Sequence, residues 1–195
     1  FYASTLLKDG GTLQVGIGSL GAALVHSAIL RHRQNDQWNA LFRHLDVAGH
    51  FPLVTSEGGT GAFREGLYGC SEMMVDGFYY LLEAGVLTRE VYDHAGLQNL
   101  INRGEISSRV SLETLDVLRR EKLIDSPLRA RDVRWLARFG ILRADVEFKG
   151  GRLRLGDQSL DTDLDNESSR EALETVALGT HLTGGIVMHG GFYVG

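Results

Sequence analysis

Apolar residues form three short runs in this chain, separated by stretches of helical period. Residues 12–17, 67–74 and 185–189 read as buried strands. After the first, Leu20, Leu24 and Ala28 with Val25 and Ile29 predict a well-buried helix, closed by Arg31, His32 and Arg33 at its negative pole. After the second, Val75, Phe78, Tyr79 and Leu82 fall at i, i+3, i+4 and i+7, and Gly85 ends that helix. Further helices are predicted over Gln37–Leu45, 89–103, Ser111–Leu123, from Ser126-Pro127 to near Gly140, and over 167–178. Ser126-Pro127 serves there as an N-cap and N1 pair. Residues 146–155 alternate around Gly150-Gly151, which predicts a hairpin.

Strands separated by helices argue for an α/β fold with a mainly parallel sheet and flanking helices, carrying a helical plus β-hairpin insertion. The expected organisation is a core over 1–107, the insertion over 108–160, and a return to the core over 161–195. The segment 50–66 contains Ser56-Glu-Gly-Gly-Thr-Gly61 and is long for a connector, so it is either a flap or an ordered insertion. Phe1 in place of Met, and a last strand leading onward, suggest a piece of a longer polypeptide whose isolated form is incomplete and inactive.

Composition narrows the class. The chain has 195 residues, 43% hydrophobic and 23% charged, as a globular protein has. A net charge of −5 gives no basic field, so nucleic acid is not expected as the main partner. No run reaches the roughly 18 apolar residues of a membrane span. The single cysteine, Cys70, fits a reducing cytoplasm.

Candidate chemistry concentrates where the first two strands end. Gly16-Ile17-Gly18-Ser-Leu-Gly21 brings backbone N–H groups close to any anion at the start of the following helix. It also matches the dinucleotide fingerprint, but no acid follows about 20 residues on at the end of a strand. The second strand presents Glu72 among small and apolar neighbours, with Ser71 before it and Asp76-Gly77 after. A buried carboxylate needs a partner or a task. Ionised glutamate attacks a thioester without a general base, provided that N–H donors receive the oxyanion.

These two patches resemble the acetyl-CoA hydrolase/transferase family, which includes 4-hydroxybutyrate and succinyl-CoA:acetate CoA-transferases. The shared pattern is Leu13-Gln-Val-Gly-Ile-Gly18, then Ser71-Glu72-Met73 with Asp76-Gly77 and Glu83-Ala-Gly85-Val, and finally Val187-Met-His-Gly-Gly-Phe-Tyr193. The resemblance implies a CoA-transferase-like fold, Glu72 as covalent nucleophile, and the Ile17 N–H within Gly16–Gly18 as oxyanion donor. It also implies acyl-CoA and a small carboxylate as substrates, no metal, and a homo-oligomer. It leaves 105–180 uncovered, and the family's later Gly-x-Gly-Gly segment is not in this chain.

Alternatives remain. The basic helices within 111–140 fit a DNA-binding or assembly module, or face the phosphates of CoA. The histidines are scattered without a metal-binding set, and Cys70 reads as a small buried thiol.

Overall fold

The computed structural model describes residues 1–192. Within them the chain divides into two units, one comprising Phe1–Val91 and the chain from Gly185 on, the other Tyr92–Gly184.

In the first unit, β1 (Thr12–Gln14), β2 (Tyr68–Met73) and β6 (Val187–Phe192) form a parallel sheet in the order β1-β2-β6. Thr12, Leu13 and Gln14 pair with Tyr68, Gly69 and Cys70, and Gly69 pairs in turn with Val187. Leu13 and Val15 are buried while Thr12 and Gln14 are exposed, so one face of the sheet is covered and the other open. The cover is α1 (Ser19–Arg33) and α5 (Asp76–Glu83). A Cβ on Gly69 would lie 2.8 Å from the Phe78 ring of α5, and one on Gly77 2.8 Å from Val25 of α1. The two helices therefore touch each other above the same face, and Val25, Ala28, Phe78 and Leu81 complete that core. On the opposite face Gln14, Glu72 and Met188 meet solvent. A parallel sheet usually has both faces covered.

Between α1 and β2 run α2 (Asn35–His44), α3 (Val47–His50) and α4 (Leu53–Glu57). Trp38, Phe42, Val47 and Val54 form a small core of their own. The glycine segment that follows is ordered by two charges. Arg31, buried at 2% exposure, donates from Nε to Gly61 O (2.7 Å), from Nη1 to Leu7 O (2.6 Å) and from Nη2 to Gly58 O (2.9 Å). Asp9 accepts from the N–H groups of Arg64, Glu65 and Gly66. The segment is an ordered insertion rather than a flap.

The chain leaves this unit at Val91 and re-enters at Gly185, and these two residues exchange both backbone hydrogen bonds (2.9 and 3.0 Å). The inserted unit holds α6 (Ala95–Asn102), α7 (Leu112–Arg120), α8 (Ala130–Arg138), an antiparallel sheet β3-β4-β5 (Glu147–Lys149, Arg152–Leu155, Gln158–Leu160), and α9 (Glu167–Ala172) continued by a π-helical turn to Ala177. Leu97, Leu100, Leu115, Leu136, Leu153 and Leu173 belong to one core. Because α6 and the α9 region contribute to it, the boundaries fall at 91/92 and 184/185, not at 107/108 and 160/161.

Two local expectations change. Ser126-Pro127 is a cis peptide in a turn, and α8 starts at Ala130, where the Asp132 carboxylate accepts the Arg129 N–H at 2.9 Å. The hairpin gains a third strand, β5, which pairs Leu153 with Leu160.

Candidate functional site

The glycine turn and Glu72 stand at the same edge of the parallel sheet. The last registered pair is Gln14 with Cys70, and Gly16 and Glu72 both lie two residues beyond it. Parallel strands run their C-terminal ends to one edge, where α1 and α5 both begin. In open α/β sheets ligands bind at that edge.

The turn's backbone is built for close approach. Gly18 has φ +118°, which side-chain-bearing residues avoid, and a Cβ there would meet nothing within 4 Å. Gly21 has the opposite reason for being glycine. Its Cβ would fall 2.4 Å from Gly16 O and 3.1 Å from Val15, so it lets α1 pack against the strand end. α1 starts with Gly18 as N-cap and no side-chain cap, which leaves its first N–H groups to other acceptors.

A groove of about 560 Å3 starts at this turn and follows the α1/α5 pair. Gly16, Ile17, Gly18, Asp76 and Gly77 line it, so the structure brings together five of the residues picked from sequence. Its size suits a small organic ligand. Ile17 is 77% exposed, so its N–H lies in an open loop. Further along, His26, Arg33, Tyr80 and Glu83 also line the groove, and the sequence reading missed them. A signal existed: Ala22, His26, Ile29 and Arg33 recur on one helical face, with two polar residues on a helix otherwise apolar there. Arg33 donates from Nη2 to Glu83 O at 2.7 Å and so caps the end of α5.

Ser71 and Glu72 do not line this groove. Ser71 is buried at 4% and its hydroxyl donates to Met73 O, where the pairing of β2 with β6 is interrupted by a bulge. Glu72 is exposed, on the sheet face opposite α1 and α5, which it shares with Cys70 two residues before it. The expectation of a carboxylate buried among apolar neighbours is therefore corrected. Alternation sends the small residues Gly69 and Ser71 toward the helices and Glu72 toward solvent.

Asp9 supports this edge from the other end of the strands. Burial raises its pKa, but hydrogen bonds from the N–H groups of Arg64, Glu65, Gly66 and Gly10 outweigh that and hold the carboxyl below its ordinary value.

In the inserted unit the arginines of the basic helices face carboxylates. Arg119 meets Asp165, Arg120 meets Glu105, Arg129 and Arg131 meet Asp125, and Arg138 meets Asp93. That pairing offsets much of the positive charge noted in the sequence. Among the described residues no cluster of His, Cys, Asp and Glu is placed to hold a metal ion, and no helix is long and apolar enough to cross a membrane. The final residue of the Val187–Tyr193 motif lies outside the described residues.

Compared with family models, curated proteins and solved structures, the chain gives no significant match.

Proposed function

We propose that this chain carries the nucleophile of an acyl-CoA:carboxylate CoA-transferase or acyl-CoA hydrolase. The observation that supports it most is the shared sheet edge, where an exposed glutamate and an uncapped glycine turn sit at matching positions on adjacent parallel strands. Glu72 attacks the thioester carbonyl, and the tetrahedral oxyanion is received by backbone N–H groups of the Gly16–Gly18 turn. Collapse expels the CoA thiolate and leaves an acyl-glutamyl anhydride. The thiolate then attacks the glutamyl carbonyl, releasing the acyl group as a carboxylate and leaving a glutamyl-CoA thioester. A second carboxylate gives transfer, and water gives hydrolysis. The groove between α1 and α5 is suited to part of the CoA.

The test is Glu72→Gln in the full protein. The amide keeps the shape and loses the nucleophile, so turnover of acetyl-CoA with a carboxylate acceptor should fall by at least about 1,000-fold. Turnover within about tenfold of wild type refutes the role.

One observation favours a second reading, dinucleotide binding. The sequence offered no acid about 20 residues beyond the turn, yet β2 lies beside β1 and carries Glu72 near its C-terminal end, more than 50 residues beyond Gly18. The contacts of Gly18 and Gly21 also match the fingerprint's roles of phosphate approach and helix–strand packing. Titration with NADH and with CoA separates the two, since the first reading expects heat from CoA alone.

A further inference from the structure

We propose that Asp9 is a positioning residue: it fixes the register of β1 against β2 and thereby sets where Glu72 stands relative to the glycine turn. Its catalytic consequence rests on the acyl-transfer reading of Glu72; its structural consequence does not.

The ladder between β1 and β2 is short, with Thr12, Leu13 and Gln14 paired to Tyr68, Gly69 and Cys70. Burial of Leu13 and Val15 decides which face turns inward, and it excludes a slip of one residue. It does not exclude a slip of two, which keeps every side chain on its own face. Such a slip would move Glu72 by about 6.6 Å along the sheet, at roughly 3.3 Å per residue. Something outside the alternation must choose between these registers.

Asp9 is placed to do so. It sits three residues before β1, and its carboxylate gathers the backbone that leads into β2. Oδ2 accepts from Arg64 N (2.8 Å), while Oδ1 accepts from Glu65 N (3.1 Å), Gly66 N (3.0 Å) and Gly10 N (3.1 Å). Two backbone bonds continue the same clasp, Gly10 N to Gly66 O (3.0 Å) and Tyr68 N to Gly11 O (3.0 Å). A carboxylate accepts all four N–H groups, whereas a carboxamide offers one oxygen and turns an NH2 toward the same donors.

The experiment compares wild type with Asp9→Asn and Asp9→Glu in the full protein, and Glu72→Gln is run alongside. In Asp9→Asn the amides of Arg64, Glu65, Gly66 and Tyr68 should exchange at least about tenfold faster, and the cross-strand NOEs between Gln14 and Cys70 should weaken. Protection at Gln34, the C-cap of α1, and at Leu123 in the inserted unit should persist, which shows that the fold is kept. kcat should fall by about 100-fold with KM unchanged, the expected effect of a displaced nucleophile. Asp9→Glu keeps the charge one methylene further out and should fall between the two; if Asp9→Asn does not fold, it is read in its place. Unchanged NOEs with kcat within about twofold of wild type overturn the proposal. If Glu72→Gln retains full turnover, the acyl-transfer reading fails separately. The NOEs then decide the register claim: weakened, it stands; unchanged, it falls.

Discussion

Replacing Arg31 by Met removes a buried cation and keeps a flexible chain of similar length. Arg31 is 2% exposed and holds three carbonyl oxygens, those of Leu7, Gly58 and Gly61. Its guanidinium also lies 4.4 Å from the centre of the Phe63 ring and 5.4 Å from that of Trp38. Burial lowers its pKa, and the charge of Asp9 opposes that shift. The bond to Gly58 is buried, whereas those to Leu7 and Gly61 are partly so and water can replace them after small movements. An orphaned buried carbonyl costs about 2–3 kcal/mol, and the other two about 1 kcal/mol each. Together these come to about 4–5 kcal/mol, and relief of the guanidinium's desolvation with Met's packing against Trp38 and Phe63 offsets about 1–2 kcal/mol of that, leaving a net loss of about 3 kcal/mol. Arg31→Lys should lose nearly as much, since one ammonium cannot span three carbonyls held in a planar fork. The chain has two tryptophans, Trp38 in the first unit and Trp135 in the inserted one. In a Trp135→Phe background, urea unfolding followed by Trp38 fluorescence therefore reads the first unit. An unfolding free energy that falls by less than about 0.5 kcal/mol in Arg31→Met would show that the clasp around 58–61 does not depend on this cation.

Other outcomes follow from the same contacts. The folded-state pKa of Asp9 is depressed, so its clasp contributes fully above the unfolded value of about 3.9 and is lost as pH falls through the folded value; amide exchange at Arg64–Gly66 should rise in acid before that of α1, and equal onset would contradict it. Gly18→Val forces a side chain into φ +118° and should impair turnover more than urea stability, as a paired kinetic and denaturation measurement will show. Gly21→Val places atoms where a Cβ already falls 2.4 Å from Gly16 O, so it should lower the unfolding midpoint of the first unit. Arg170→Ala breaks an ion pair with the half-exposed Asp116 and should cost under about 1 kcal/mol, read from Trp135 fluorescence.

The regular elements were legible because their periods are local. α1 and α5 announce themselves by apolar spacing, and β3 and β4 by alternation about Gly150-Gly151. What was not legible depends on distant partners. Arg31 looks like a cation at a helix C-terminus until residues 7, 58 and 61 close around it, and Asp9 looks like any loop acid until residues 64–66 arrive. The insertion's limits rest on Val91 meeting Gly185, a pairing across more than 90 residues that no window of sequence contains. At the candidate site, the glycine turn was singled out by residue type and spacing, and Asp76-Gly77 by the family resemblance. The exposure of Glu72 was not, because a single-sided sheet leaves open a face that apolar neighbours suggest is covered.

In the proposed reaction Glu72 forms a covalent bond first to the acyl group and then to CoA. The most direct measurement is peptide mass mapping of the full protein after incubation with acetyl-CoA. A CoA adduct is expected on the peptide that contains Glu72, lost in Glu72→Gln and discharged by added carboxylate. An adduct on any other residue, or turnover without an adduct in the wild type, contradicts it.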